Sequence, residues 1–187
     1  MILVLASASP RRQELLRNAG IAIEVRPAHI CEDPLPGESP TTCVERLARE
    51  KACHVLRTRP KHFVLGADTT VIVDNEMLAK PQDAEDACRM LRKLSGRTHV
   101  VTTGVCLAGP DFVDVRSEST SVTFRELGEA DILFYESKGE PMDKAGAYGI
   151  QGIASRWIPR IDGDYFNVVG LPIALVWQML QEHGWES

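Results

Sequence analysis

Short apolar runs alternating with amphipathic stretches constrain this chain more than any other feature of its sequence. Residues 2–6 and 63–67 are strand-length and almost free of polar groups, and 21–25 alternates weakly as a strand. Between them lie two stretches of helical character. Gln13-Glu14-Leu15-Leu16-Arg17 favours helix and stops at Gly20. Ser39-Pro40 opens the second, with serine as N-cap and proline at the first helical position. Val44, Leu47, Ala48, Cys53 and Val55 follow its inner face, while Glu45, Arg46, Arg49 and Glu50 lie toward solvent. The proline-rich residues 28–40 form the loop before it.

The strand begun at Phe63 ends at Asp68-Thr69-Thr70, and 71–73 continues extended to a turn at Asp74-Asn75-Glu76. Residues 83–94 form a helix with Ala87, Met90, Leu91 and Leu94 on one face, closed by Gly96. Two long strands, 99–107 and 112–124, are joined by Ala108-Gly109-Pro110-Asp111. A short helix over 129–136, a glycine-rich stretch at 146–152, an extended segment at 157–161 and a final helix over 172–183 complete the chain. This order predicts an α/β fold with a mixed sheet and flanking helices, in one domain spanning 1–187.

Apolar residues make up 44% of the chain and charged residues 25%, enough for a core and too apolar for disorder. A net charge of −5 argues against coating nucleic acid, although a locally basic cleft can still take a small anion. The start has no basic leader, and no apolar run approaches the roughly 20 residues that cross a bilayer. Cys31, Cys43, Cys53, Cys88 and Cys106 are odd in number and form no C-x-x-C, so they read as reduced thiols. A cytoplasmic protein with no membrane or nucleic-acid partner is expected. The histidines lack metal-binding spacing, which argues against a zinc enzyme.

Four groups of residues can carry chemistry. Ser7-Ala8-Ser9-Pro10-Arg11-Arg12 lies between a strand and a helix, where helix N–H groups, hydroxyls and two arginines suit phosphate oxygens. Its plainer role is an N-cap with two exposed arginines. Asp68, at a strand end in Gly66-Ala67-Asp68-Thr69-Thr70, can hold a divalent cation or take a proton from water. It fits equally well as a turn aspartate bonded to its own backbone. Glu32, Lys51 and Lys80 are dispersed ions that a triphosphate would need, yet each alone reads as a solvated charge, Lys51 as the outer side of its helix. The block from Asp143 to Gly152 carries three glycines that permit close backbone approach, and Gln151, whose amide suits a nucleobase edge. A glycine-rich bend needs no ligand to account for it.

Taken in order, seven blocks resemble the Maf family of nucleotide pyrophosphatases. They are the Ser7-to-Arg12 segment, Leu47-Ala48-x-x-Lys51-Ala52, Gly66-Ala67-Asp68-Thr69, Lys80-Pro81, Leu94-Ser95-Gly96-Arg97-Thr98-His99, Glu140-Pro141-x-Asp143-Lys144-Ala145-Gly146-Ala147-Tyr148-Gly149-Ile150-Gln151-Gly152, and Asn167-Val168-Val169-Gly170-Leu171-Pro172. The resemblance runs from residue 3 to about 180. It implies a twisted mixed sheet of the Maf and ITPase-like kind, two lobes around a deep cleft, and a homodimer. It also implies hydrolysis of nucleoside triphosphates to monophosphate and pyrophosphate with Mg²⁺ or Mn²⁺, clearing non-standard nucleotides. The Asp143-to-Gly152 block is similar to that of the dTTP/UTP subgroup. By the same resemblance Asp68 is the proton acceptor and, with Glu32, the metal ligand. Arg11, Thr69 and Gln151 take the substrate-choice positions, and Ser7, Arg12, Lys51 and Lys80 the other substrate-binding positions. Cys31 and Ala79 depart from the family, which often has an acidic residue and a glycine there. The family is also linked to septum formation, so a non-catalytic nucleotide-binding regulator is the alternative. Removal of deaminated purine triphosphates on a related fold is a second.

Overall fold

A computed structural model describes residues 1–186 of the chain. Two compact units emerge. The first comprises residues 1–69, 103–118 and the chain from Gly170 onward, and the second 70–102 and 119–169. Among the described residues, seven strands form a mixed sheet in the order β2-β1-β3-β5-β6-β7, with β4 paired to β3.

In the first unit, β1 (Leu3–Leu5) lies parallel to both β2 (Ile23–Val25) and the first half of β3 (Val64–Val73). The β1–β2 crossover is α1 (Pro10–Asn18), capped by Ser9 with Pro10 in the first turn. The β2–β3 crossover is α2 (Pro40–Leu56), capped by Ser39 as its Ser-Pro start predicts. Helix α2 packs unusually close to the sheet. A Cβ on Gly66 of β3 would stand 2.2 Å from the Ala48 carbonyl oxygen, and one on Gly104 would stand 2.4 Å from the Val44 carbonyl. Glycine at both positions lets backbone meet backbone, and a core of Val4, Ala6, Ala48, Ala52, Val55, Val64, Cys106 and Ala108 closes around that approach. The unit also holds the ends of β5 (Thr98–Gly109) and β6 (Phe112–Thr123) that flank their connecting turn, and α6 (Ile173–Glu182).

In the second unit, β3 turns through Asp74 and Asn75, both at positive φ, into the antiparallel β4 (Glu76–Leu78). Helix α3 (Ala84–Leu94), capped by Asp83, buries Ala87, Met90, Leu91 and Leu94 as its periodicity predicts. Then come α4 (Glu129–Ser137), three short 3₁₀ turns between Glu140 and Trp157, β7 (Arg160–Asp162) antiparallel to β6, and α5 (Tyr165–Val169). His99, Phe124 and Tyr148 meet edge-to-face, with centroids 4.8–5.4 Å apart.

Two sequence expectations change, and two short elements were not foreseen. Asp68 does not end a strand, because β3 runs unbroken from Val64 to Val73 and carries it in mid-strand. Residues 153–157 coil into a 3₁₀ turn, so the extended segment is shorter than 157–161. Strand β4 and helix α5 are too short for periodicity to mark.

Candidate active site

Asp68 is best understood from the backbone that carries it. Strand β3 leaves Asp68 and Thr69 half-buried after four buried residues, Val64 to Ala67, and the 2.0-residue period turns Ala67 and Asp68 to opposite faces. The Asp68 carboxylate meets Lys51, whose Nζ donates to Oδ1 at 2.7 Å. Lys51 is buried at 6% exposure, on the sheet side of α2 rather than on its outer side. Two residues of α2 lie between Lys51 and the inner-face Ala48, which is helical spacing for one stripe. The same ammonium pairs with Glu32 Oε1 at 2.8 Å. Helix α2, strand β3 and the proline-rich loop thus converge on one cation.

Arg12 comes at the same strand from α1. Although it follows an exposed loop in sequence, its side chain is buried. Nε donates to the Gly170 carbonyl at 2.8 Å, Nη1 to the Ala67 carbonyl at 2.9 Å and Ser7 Oγ at 3.3 Å, and Nη2 to Thr69 Oγ1 at 3.0 Å. Protein acceptors therefore take four of the five N–H groups of a guanidinium. Burial draws the Arg12 pKa down, Asp68 pushes it back up, Arg11 adds to the lowering and Glu32 to the raising. The family resemblance gives Arg12 a substrate-binding position; within the protein its guanidinium is a brace that ties together the β1–α1 loop, β3 on both sides of Asp68, and the turn at Gly170.

Thr69 is part of that brace. Its hydroxyl lies 2.9 Å from Thr103 Oγ1 and 3.4 Å from the Gly170 carbonyl, besides accepting from Arg12. Ser7 Oγ accepts from Ser9 N–H at 3.2 Å and from Arg12, leaving its own O–H to donate. Arg11 is half-buried in the same unit. Lys80, following β4, and Gln151, in the glycine-rich segment, are both exposed and belong to the second unit.

The glycine-rich segment also differs from expectation. Its glycines make room for the protein itself. Gly146, at φ +70, lies against Val71, while a Cβ on Gly149 would meet Lys144 at 2.7 Å and one on Gly152 would meet Glu140 Oε1 at 1.9 Å.

For a divalent cation, the chemistry of the donors fits in outline. Asp68 and Glu32 are hard oxygen ligands held to one point, and Mg²⁺ commonly takes one or two carboxylates and completes its sphere with water and substrate phosphates. No cluster of three or more His, Cys, Asp or Glu able to hold a metal occurs among the described residues. Phosphate oxygens would have to finish the site.

Sequence reasoning missed Thr103 and the Gly170 carbonyl. A threonine within the apolar run of β5 was the one available signal for the first. A carbonyl acceptor leaves no trace in residue type.

Comparison with known proteins places the chain among relatives over its whole length. The family model described as Maf-like protein matches residues 2–183. A dTTP/UTP pyrophosphatase of Koribacter versatilis is 56% identical, covering 98% of this chain and 95% of that protein. One from Syntrophomonas wolfei is 52% identical, covering 96% of each. Among solved structures, the Staphylococcus aureus Ham1 protein shares the fold at a TM-score of 0.56 and 15% identity, over 98% of this chain and 100% of that one.

Proposed function

The chain belongs to the Maf family, and from that premise we propose that it hydrolyses dTTP and UTP to the nucleoside monophosphate and pyrophosphate. The observation that carries this reading is Asp68, held in mid-strand by Lys51 through Oδ1, with Glu32 drawn to the same ammonium.

In the proposed reaction, water attacks phosphorus at the α–β linkage as the bridging P–O bond breaks. Asp68 Oδ2 accepts the proton of that water. Lys51 holds Oδ1 in place, so the carboxylate keeps its aim while the other oxygen is loaded. Pyrophosphate leaves with the bond's electron pair. Arg11, Lys80 and the Ser7 hydroxyl offset its charge, since phosphoryl transfer rests mainly on positioning and electrostatics. Asp68 and Glu32 would hold Mg²⁺ or Mn²⁺, which when bound supplies positive charge to the phosphate oxygens. Gln151 offers an amide N–H and C=O to a pyrimidine edge, which presents a ring N–H beside a carbonyl. Thr69 affects substrate choice through the segment it steadies, because its hydroxyl is already engaged. A homodimer, residence in the cytoplasm, and one Maf-like domain spanning the chain complete the proposal, resting on family likeness. No helix among the described residues is long and apolar enough to cross a membrane.

The test is release of pyrophosphate from UTP, dTTP, CTP, ATP, GTP, ITP and XTP, with Mg²⁺, with Mn²⁺ and with chelator. UTP and dTTP should lead, chelator should abolish turnover, and Asp68→Asn should lose at least ~10²-fold in kcat. Faster cleavage of ITP or XTP, or tight nucleotide binding without pyrophosphate release, would overturn the assignment.

A further inference from the structure

The glycine-rich segment places Gln151 at the apex of a short turn whose two ends are tied to one hydrogen-bonded pair, buried Tyr135 and half-buried Glu140. Gly152 N–H closes the turn onto the Gly149 carbonyl at 3.1 Å. On the near side, Gly149 N–H donates to the Tyr135 hydroxyl at 3.1 Å. On the far side, Ile153 N–H donates to Glu140 Oε2 at 3.3 Å. The two anchors are themselves joined, because the Tyr135 hydroxyl donates to Glu140 Oε1 at 3.0 Å. Within the turn, Ile150 is buried while Gln151 projects to solvent.

The anchors are themselves held by packing and hydrogen bonds. Tyr135 has no exposed surface and its ring meets Trp157 edge-to-face at 5.3 Å. Burial raises the Tyr135 pKa well above its ordinary value, so the hydroxyl keeps its proton and can donate to Glu140 while accepting from Gly149. Glu140 begins a 3₁₀ turn, and its carbonyl accepts from Lys144 Nζ at 2.7 Å. The carboxylate fills the space that a side chain at position 152 would need. Two elements, α4 and the following 3₁₀ turn, therefore hold one tetrapeptide, and its single outward polar side chain is the one able to read a base edge.

We infer that Tyr135 and Glu140 are positioning residues for base selectivity, holding Gln151 at the angle that favours a uracil or thymine edge over a cytosine edge. This rests on the proposed role of Gln151 in base reading. A bend needed only for folding would not have to be fixed at both ends of one exposed glutamine. A base reader would, because an amide that swings can offer either its N–H or its C=O and loses discrimination.

The experiment compares kcat/KM for UTP and CTP in wild type, Tyr135→Phe, Glu140→Gln, Gly152→Ala and Gln151→Ala. Tyr135→Phe keeps the ring and removes only the hydroxyl. Gly152→Ala displaces the Glu140 carboxylate, and with it the Tyr135–Glu140 hydrogen bond, while leaving both anchor residues in the sequence. Loss of one supporting hydrogen bond should cut the UTP-to-CTP ratio by up to about tenfold, mainly through UTP, with CTP turnover unchanged within about twofold. Thermal melting in parallel identifies any variant that fails to fold, and the remaining ones carry the comparison. Equal loss for both nucleotides, or an unchanged ratio in Tyr135→Phe and Glu140→Gln while Gln151→Ala lowers it, would overturn the inference. An unchanged ratio in Gln151→Ala would instead remove the base-reading role on which it rests.

Discussion

At the residue scale, one lysine and one arginine do different work that their charge alone does not distinguish. Lys51 gathers two carboxylates, whereas Arg12 gathers carbonyls and hydroxyls. The guanidinium can do this because its five donors leave in fixed directions, and an ammonium cannot copy the pattern. Arg12→Lys should therefore behave nearly as badly as Arg12→Ala. Both should lose about tenfold or more in kcat, from misaligning Asp68, with KM for UTP changed by less than about threefold. A phosphate ligand would give the opposite result in steady-state kinetics: KM rising strongly, and lysine restoring much of the loss.

At the element scale, the site depends on how near α2 comes to the sheet. Lys51 reaches Asp68 only because the two glycines let the helix backbone rest on β3 and β5. Gly66→Ala puts a methyl group into the Ala48 carbonyl and the Ala52 N–H, both backbone atoms that cannot turn aside. It should cost about 3 kcal/mol or more in chemical denaturation, toward the upper end for overpacking a core. A stability within 1 kcal/mol of wild type would mean that α2 is not seated as described. The same elements show how far sequence reaches. Both Ser-Pro caps and the α3 stripe were legible, since capping and periodicity are local. The inward face of α2 was misjudged at Lys51, because a charge on an apolar stripe reads as solvated until its partners are known.

At the scale of the whole molecule, acid should unfold the protein earlier than its carboxylates alone would dictate. His99 is 2% exposed, its Nε2 lies 2.7 Å from the Tyr148 hydroxyl, and its Nδ1 has no partner. Burial lowers its pKa from 6.5 to about 4. Below pH ~6.5 the unfolded chain takes up a proton that the folded chain refuses until pH ~4. The unfolded state thus binds more protons across that window, and stability falls as pH falls. The full loss from this one group is about 3 kcal/mol. Denaturant midpoints measured at pH 7 and pH 4.5 should separate clearly in wild type and draw together in His99→Gln. An equal separation in the variant would assign the acid sensitivity to other groups.

The sequence by itself determined the alternation of strands and helices, the helix caps, the turn at Asp74 and Asn75, and the residue types needed to handle a triphosphate. Those features depend on neighbours a few positions away, so one chain read in order contains them. It also determined family membership, because seven blocks in one order are a long-range pattern of residue identity. Tertiary structure alone decided what the charges do. Lys51 turned inward because β3 brought it Asp68 and the proline-rich loop brought it Glu32. Arg12 became a brace because three acceptors from distant segments, with Ser7 from its own loop, lay within its reach. The glycines of the 146–152 segment, open to a ligand in the sequence, proved to be filled by Val71, Lys144 and Glu140. Partners brought together by folding set the energy of a buried polar group, and no local pattern records them.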